Sequence, residues 1–542
     1  MRLLLLHFLL WKNAVALQYD AVIIGSGIGG LSCGATLASQ GKSVCVLEAH
    51  EHLGGAAHEW ERKGYRFESG PSLYAGLSLE RSPNPLRHVF QVCGEEPEWI
   101  RYDRWGFSEA KTGQKFAAAV GSEDFIGRIL PTYGGPKAIE EWGRLMVALE
   151  PLGSAVFALP PAAVREDPFA LFTLGFRYFP AVVNILKAGD LSRPFSELLD
   201  DLDIKDEFIR NWLDMLCFLL QGATTKEAPA SLMAYMLSDF YRPNVFLDYP
   251  VNGTRGIVDA LVRGCLKGNP LSKVRTKSKV EKLVIQDNTI KGVRLSSGEI
   301  IHGKHVISNA DLWSTSKLVD DENDDASEIK NFFDKQMERV TPCDSFLHLH
   351  LGIDATDLPT TPSEEFPAQW AFIDDWQRGV DAPRNMVLVS VASLLDKTLA
   401  PTGKHVVHAY VPATEPFDIW DKMTYPSKDY RDAKTKAVDI LFEAIEQYIP
   451  DVRQRIDLEF SATPKTHERF LRKHKGTYGA FLPANTGELL MGHKTPLTNF
   501  WLCGDSTFPG IGVPAVAASG LITANSILNP IEHWRVLDKI RL

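Results

Sequence analysis

The sequence predicts an α/β protein built on a Rossmann-like dinucleotide-binding unit, and three observations carry that prediction. Tyr19 to Ile24 is a short apolar run rich in β-branched residues, it leads directly into Gly25-Ser26-Gly27-Ile28-Gly29-Gly30, and a second apolar run, Ser43 to Leu47, ends at the acid Glu48. Strand, glycine turn, helix, strand and acid arrive in the order a βαβ unit requires.

Each part has a physical reason. Gly25 permits the tight turn, Gly27 lets the backbone approach a pyrophosphate, Gly30 allows close helix packing, and Ser26 and Gly29 complete the turn. From Ile28 to Gln40, Ile28, Leu31, Ala35 and Ala38 recur at helical spacing, and Gly41 supplies the stop. The helix N-terminus stabilises negative charge. Glu48, eighteen residues after Gly30, can accept hydrogen bonds from both hydroxyls of an adenosine ribose. An acid there argues against a 2′-phosphate, which leaves FAD or NAD. The doublet Gly54-Gly55, soon after Glu48, lets the chain pass close to the flavin end of an extended cofactor and favours FAD.

Length and composition frame the rest. A chain of 542 residues suggests an interleaved two- or three-part globule. With 45% hydrophobic and 23% charged residues it is not a disordered chain. A net charge of -10 without a Lys/Arg block excludes a nucleic-acid footprint. The seven cysteines are scattered and never form a CxxC pair, as expected of buried thiols. At the N-terminus, Arg2, the apolar run Leu3 to Trp11 and the triplet Ala14-Val15-Ala16 read as a signal-like or anchoring segment over residues 1–17, too short to span a bilayer.

Further along, Val274 to Leu295 reads as two strands around Asp287-Asn288, and Gly303 to Ala310 as a strand entering a polar turn. Phe500 to Cys503 is a strand and Gly504-Asp505 a turn. Gly512-Val513-Pro514 then opens an apolar helix running to Leu528, with Pro514 suited to its first turn. The middle, Pro160 to Pro250, is helical and rich in Phe, Leu, Trp and Met. Its stretches 170–179 and 181–187 are apolar with isolated basic residues, as in a helix lying in a membrane surface; Asp206 to Gln221 is amphipathic. Periodicity alone describes all of these equally as packed core. Phe346 to Leu351 alternates and places His348 and His350 on one strand face; no third ligand is apparent, and no metal is expected. No GxSxG turn suggests a hydrolase, and no second GxGxxG provides a nicotinamide site.

Together with the glycine turn, three late blocks carry a resemblance: Leu388 to Asp396 with Leu399-Ala400-Pro401 and Gly403 to His408; Thr463 to Leu471 with Gly476 to Gly479; and Cys503 to Gly510. From Tyr19 to about Leu528 the chain resembles the flavin-dependent amine oxidase and phytoene desaturase superfamily, and more closely its carotenoid isomerase branch. Many relatives carry Arg after the Gly-Gly doublet where this chain has Ala56. The resemblance implies a Rossmann-like FAD-binding domain with an inserted mixed-sheet substrate domain and an apolar helical membrane-facing region. The implied segments are 18–95, 246–335 and 481–542 for FAD, 96–245 for the helical region and 336–480 for the substrate sheet. It implies that Val280 reads the adenine edge through its backbone, that Asp505 hydrogen-bonds a ribityl hydroxyl, and that the helix opening at Val513 points its positive end at the flavin pyrimidine. No side-chain acid or base is nominated.

The implied activity is FAD-dependent cis-trans isomerisation of a poly-cis C40 carotenoid such as prolycopene, at a plastid or ER-routed membrane. The competing readings are a net redox enzyme, either a carotenoid desaturase or a retinol-type saturase, and a flavin-dependent hydratase. From another class stand the Rab-escort and GDI proteins, prenyl-lipid carriers whose role does not require the glycine turn, Glu48 and the Asp505 segment together.

Overall fold

The computed structural model describes residues 18–70, 73–187, 192–320 and 326–542; the signal-like segment 1–17 lies outside the described residues. β1 (Gln18–Ile24), α1 (Ile28–Ala38) and β2 (Val44–Leu47) form where the strand-turn-helix-strand reading puts them. Two further strands follow, β3 (Glu59–Arg62) and β4 (Tyr65–Glu68), as an antiparallel ladder. Then come β5 (Arg104–Glu109) and β6 (Lys115–Ala119), inside a range expected to be helical. Their alternation places Trp105, Phe107 and Phe116 in the core, and this period of two is what the helical expectation overlooked.

The longer helices of the middle region are α2 (Ala138–Val156), α3 (Phe169–Arg177), α4 (Phe179–Lys187), α5 (Glu207–Gln221) and α6 (Ala230–Phe240). α5 begins because Asp206 accepts from the Ile209 amide at 3.0 Å and ends at Gly222, which adopts φ 66°. Its Ile209, Trp212, Leu213 and Leu216 are buried, and the Trp212 indole donates to the Tyr241 hydroxyl at 2.7 Å. α5 is therefore core. α3 and α4 differ: they bend by 95° at their junction, and Leu171 and Leu186 are 75% and 77% exposed. Among the described residues no single helix is long and apolar enough to cross a membrane.

After α7 (Thr254–Lys267) come β7 (Lys273–Arg275), β8 (Val280–Gln286), β9 (Thr289–Leu295) and β10 (Ile300–Ser308). The expected hairpin at Asp287-Asn288 is present, with both residues at positive φ. These strands join β1 and β2 in a sheet ordered β7-β2-β1-β10-β9-β8, and β16 (Phe500–Leu502) pairs with β10. A parallel core of β7, β2, β1, β10 and β16 thus carries the antiparallel hairpin β8-β9.

A second mixed sheet holds β11 (Ser345–Asp354), β12 (Gln369–Ile373), β13 (Met386–Ser390), β14 (Lys404–Glu415) and β15 (Ile456–Ala462) in the order β15-β11-β14-β13-β12-β5-β6. One face packs on α5 and α6 through Trp105, Phe107, Trp212 and their neighbours. The other, with Leu347, Leu349, Trp370 and Val389, packs on the helical segment around Leu441 and Ile445. α8 (Pro464–Leu471) follows β15 directly, and α9 (Val513–Ile527) follows β16. All seven cysteines are free and all but Cys343 are buried, as expected.

Candidate functional site

One cavity of about 710 Å³ lies between the two large sheets, lined by both glycine segments and by the second-sheet side chains Phe346, His348 and Tyr410. Of the residues expected at a cofactor, Gly25, Ser26, Gly27, Gly29, Glu48, Gly54, Gly55, Val280, Asp505 and Val513 line it, and Gly30 sits behind.

The glycine turn is crowded rather than open. Gly25 has φ +92°, and a Cβ on Gly30 would stand 2.5 Å from the Gly25 carbonyl oxygen. Gly30 thus closes the turn on itself. It also lets α1 pack closely on the end of β10, since the same Cβ would stand 3.0 Å from the Asn309 Cβ, and a second close contact is made at Gly520, where α9 lies against α1 and a Cβ would meet the Gly29 carbonyl at 2.4 Å. Asn309, just past β10, fills the remaining space, because a Cβ on Gly27 would lie 2.7 Å from its side-chain amide nitrogen. The second doublet is tied to the same turn. The Gly54 amide donates to the Ser26 carbonyl at 3.2 Å, and Gly54 at φ +109° would strain any side chain.

Glu48 bridges the turn. One carboxylate oxygen accepts from the Ser26 amide at 3.0 Å and the Ser26 hydroxyl at 2.7 Å, while the other accepts from the His50 amide at 2.8 Å. This fixes the carboxylate at the cavity wall. Asp505 is ion-paired with Lys473, whose ammonium also donates to the Tyr478 carbonyl at 2.7 Å. Lys473 stands in the gap of the block formed by Thr463 to Leu471 and Gly476 to Gly479; only the turn around it places it in the cavity.

The residues fit FAD. The N-termini of both α1 and α9 open on the cavity through Gly27, Ile28, Gly512 and Val513. Neither has a side-chain cap or an acid in its first turn, so their free amides and positive dipole ends are available to an anionic ligand. The glycines remove side-chain bulk where a pyrophosphate must approach the backbone. Beyond the doublet, where Arg was noted as missing, the Ala56 carbonyl instead accepts from the Ser69 hydroxyl at 3.0 Å. His50, His52 and His58 line the wall nearby, and burial pushes the His58 imidazole down to about 4.

The other wall is apolar and aromatic, with Leu219, Leu220, Met236, Phe346, Tyr410 and Tyr478. Burial raises the Tyr478 phenol above its ordinary range. On this wall the reading of His348 and His350 as a pair without a third partner is corrected. β14 sets His408 opposite His350 in register, α8 adds His467, and one nitrogen from each of His348, His350 and His408 lies within 4.8 Å of the others. The signal was in the sequence, as His408 in the Gly403 to His408 block, but pairing it with His350 requires the strand register.

The family described as flavin containing amine oxidoreductase matches residues 28–528. A chloroplastic prolycopene isomerase of Daucus carota is 29% identical, over 94% of this chain and 80% of its own length. An all-trans-retinol 13,14-reductase of Danio rerio is 25% identical, over 94% and 86%. Among solved structures, an oxidoreductase from Methanosarcina mazei superposes with TM-score 0.60 at 18% identity, covering 92% of this chain and 98% of its own.

Gly30→Ala is expected to weaken FAD binding on the order of a hundredfold, equivalent to about 3 kcal/mol, measured by flavin fluorescence titration of the apo-protein. Affinity within a few-fold of wild type would show that the turn is not at the cofactor.

Proposed function

The chain belongs to the flavin containing amine oxidoreductase family, its cofactor is FAD, and from that footing we propose that it is an FAD-dependent cis-trans isomerase of a poly-cis C40 carotenoid such as prolycopene. Its match along 94% of the chain to a prolycopene isomerase supports this reading most strongly. When bound, FAD would supply a redox-active ring beside the target bond of the polyene. Adding an electron, hydride or proton to the target C=C lowers its bond order, rotation follows, the charge returns, and no net redox results.

The chain's own residues bind and exclude. Glu48 would hold the ribose end, Val280 would lie at the adenine end, and the backbone turns at Gly27 and Gly54 would admit the pyrophosphate. Asp505 would take the ribityl chain, and the N-terminus of α9 would stabilise negative charge on the flavin. The aromatic wall of Phe346, Tyr410 and Tyr478 gives the polyene a dry path, in which exposed charge is costly and a delocalised chain is not.

A net redox reaction is the second reading, supported by the match to a retinol 13,14-reductase. Anaerobic turnover of liposomal poly-cis lycopene with pre-reduced enzyme separates the two. Isomerisation gives all-trans product at unchanged mass, with more than one turnover per flavin. A two-hydrogen mass change overturns it in favour of the redox reading, and added water in favour of a hydratase.

We place the enzyme at a plastid membrane surface, in keeping with the chloroplastic relative and with the supply of a substrate that dissolves only in bilayers. The bent pair α3-α4 is the docking element: Leu171, Phe172, Phe176, Phe179 and Leu186 are exposed, and together they give an apolar surface that a bilayer interface would bury. Replacing Leu171, Phe176 and Leu186 by Ser is expected to lower liposome flotation more than tenfold with FAD loading unchanged. Undiminished flotation would remove this element from the account.

A further inference from the structure

The histidines on the substrate wall do more than pack. His348 is bonded at both ring nitrogens: Nδ1 lies 2.8 Å from His408 Nε2, and Nε2 lies 2.8 Å from His467 Nε2. Two imidazole nitrogens at that distance hold a proton between them, since each bond needs one donor and one acceptor. His350 stands outside this chain. Its Nε2 bonds the Glu68 carbonyl at 2.9 Å, and a carbonyl only accepts, so that proton is fixed.

The arrangement is not that of a metal centre, although three nitrogens come close. A metal lies near the plane of each imidazole that binds it, so the ring planes must intersect at the ion. Here His350 is stacked on His408, 4.2 Å apart with planes 8° from parallel, so no ion can lie in both planes, whereas His348 meets His408 and His467 edge to edge, 13° from each, as its two hydrogen bonds require.

We propose that His467, His348 and His408 form a proton relay opening on the substrate cavity, and that the charge lent to the polyene during isomerisation is a proton passed by this chain. The proposal rests on the isomerase reading and names the charge that reading leaves open. His467 and His348 line the cavity, whereas His408 lies behind them. The three-ring chain has two tautomeric arrangements. In one, His467 donates to His348 and His348 to His408; in the other both bonds are reversed. A proton taken from water by the chain is shared over three rings by these shifts.

The step balances without an oxidant. Protonated His467 gives its proton to one carbon of the target C=C, a C–H bond forms from the π pair, and the positive charge spreads along the remaining polyene. The former double bond turns as a single bond. The same carbon then returns a proton to His467, the C–H pair restores the π bond, and no electron leaves the substrate. Burial keeps the resting chain neutral: it pushes His467 down to about 3 and holds His348 and His408 well below the histidine range. The groups that face the chain are His350 on β11, Tyr410 on β14, His58 before β3 and Lys473 after α8. Lys473 and the neighbouring imidazoles act in the same direction as burial.

The FAD-loaded enzyme with poly-cis lycopene liposomes in D2O tests the relay. The relay predicts all-trans product carrying deuterium, a rate that falls about tenfold per pH unit between about pH 6 and 8, and His348→Gln slowed more than tenfold at unchanged KM and FAD affinity. It also predicts His467→Ala restored in part by added imidazole. Isomerised product free of deuterium, or His348→Gln turning over as wild type, overturns the relay and leaves the isomerase reading standing. If the product instead gains two hydrogens, the isomerase reading fails, and the relay fails with it unless His348→Gln slows that reaction too. If no polyene turns over, 15N solid-state spectra of histidine-labelled protein decide. Two N–H···N couplings lost in His348→Gln support the chain, and their absence from wild type overturns it. A transition metal bound one per chain and lost in His348→Gln also overturns it.

Discussion

The structure depends on the close approach of α1 and α9. Gly520 of α9 rests on the Gly29 carbonyl, and the Gly29 position itself has room only for hydrogen because Asn309 and the Val516 carbonyl crowd it. Two helices meeting backbone to backbone bring both N-termini to one cavity. Each end carries roughly half a positive charge, and neither is cancelled by an acid of its own first turn. An extended anionic cofactor is the ligand that satisfies both ends at once. The remaining glycine constraints, at Gly27, Gly30 and Gly54, follow from the same requirement that backbone rather than side chain meet the ligand.

The second sheet supplies the opposite character. The sheet and α8 line the cavity with Phe346, Tyr410, Pro412 and the imidazoles of His348 and His467, which burial keeps neutral, so the site grades from a polar, positively biased pole to a dry one. In the proposed reading, a cofactor carrying charge and a hydrocarbon polyene meet where the two poles join. Lys473 stands near that junction, paired with Asp505 and fixed by the Tyr478 carbonyl, so that its charge is balanced within the cavity wall.

Local patterns made the first half of the site legible. Gly25 to Gly30, Glu48, Gly54 and Gly55 lie within one βαβ unit, where spacing along the chain fixes spacing in space. The Asp287-Asn288 hairpin and α5 were equally legible, through turn chemistry and period. What escaped were contacts between distant segments. Asn309 matters through the glycines it touches, Lys473 through a turn from α8, and His408 through a strand register across 60 residues. The helical stretches at 170–187 and 206–221 look alike in composition, yet one is exposed and the other is core; periodicity describes an apolar face without saying what covers it.

Two helix ends facing one cavity set a positive field at the cofactor. The most direct measurement is the pH at which the dithionite-reduced, FAD-loaded protein loses the flavin N1 proton, followed by absorbance beside free reduced FAD in the same buffer. The account predicts that the protein-bound form stays anionic to a pH at least one unit below that of the free cofactor, since about 1.4 kcal/mol of preferential stabilisation moves a pKa by one unit. A value equal to or above that of free reduced FAD would contradict it.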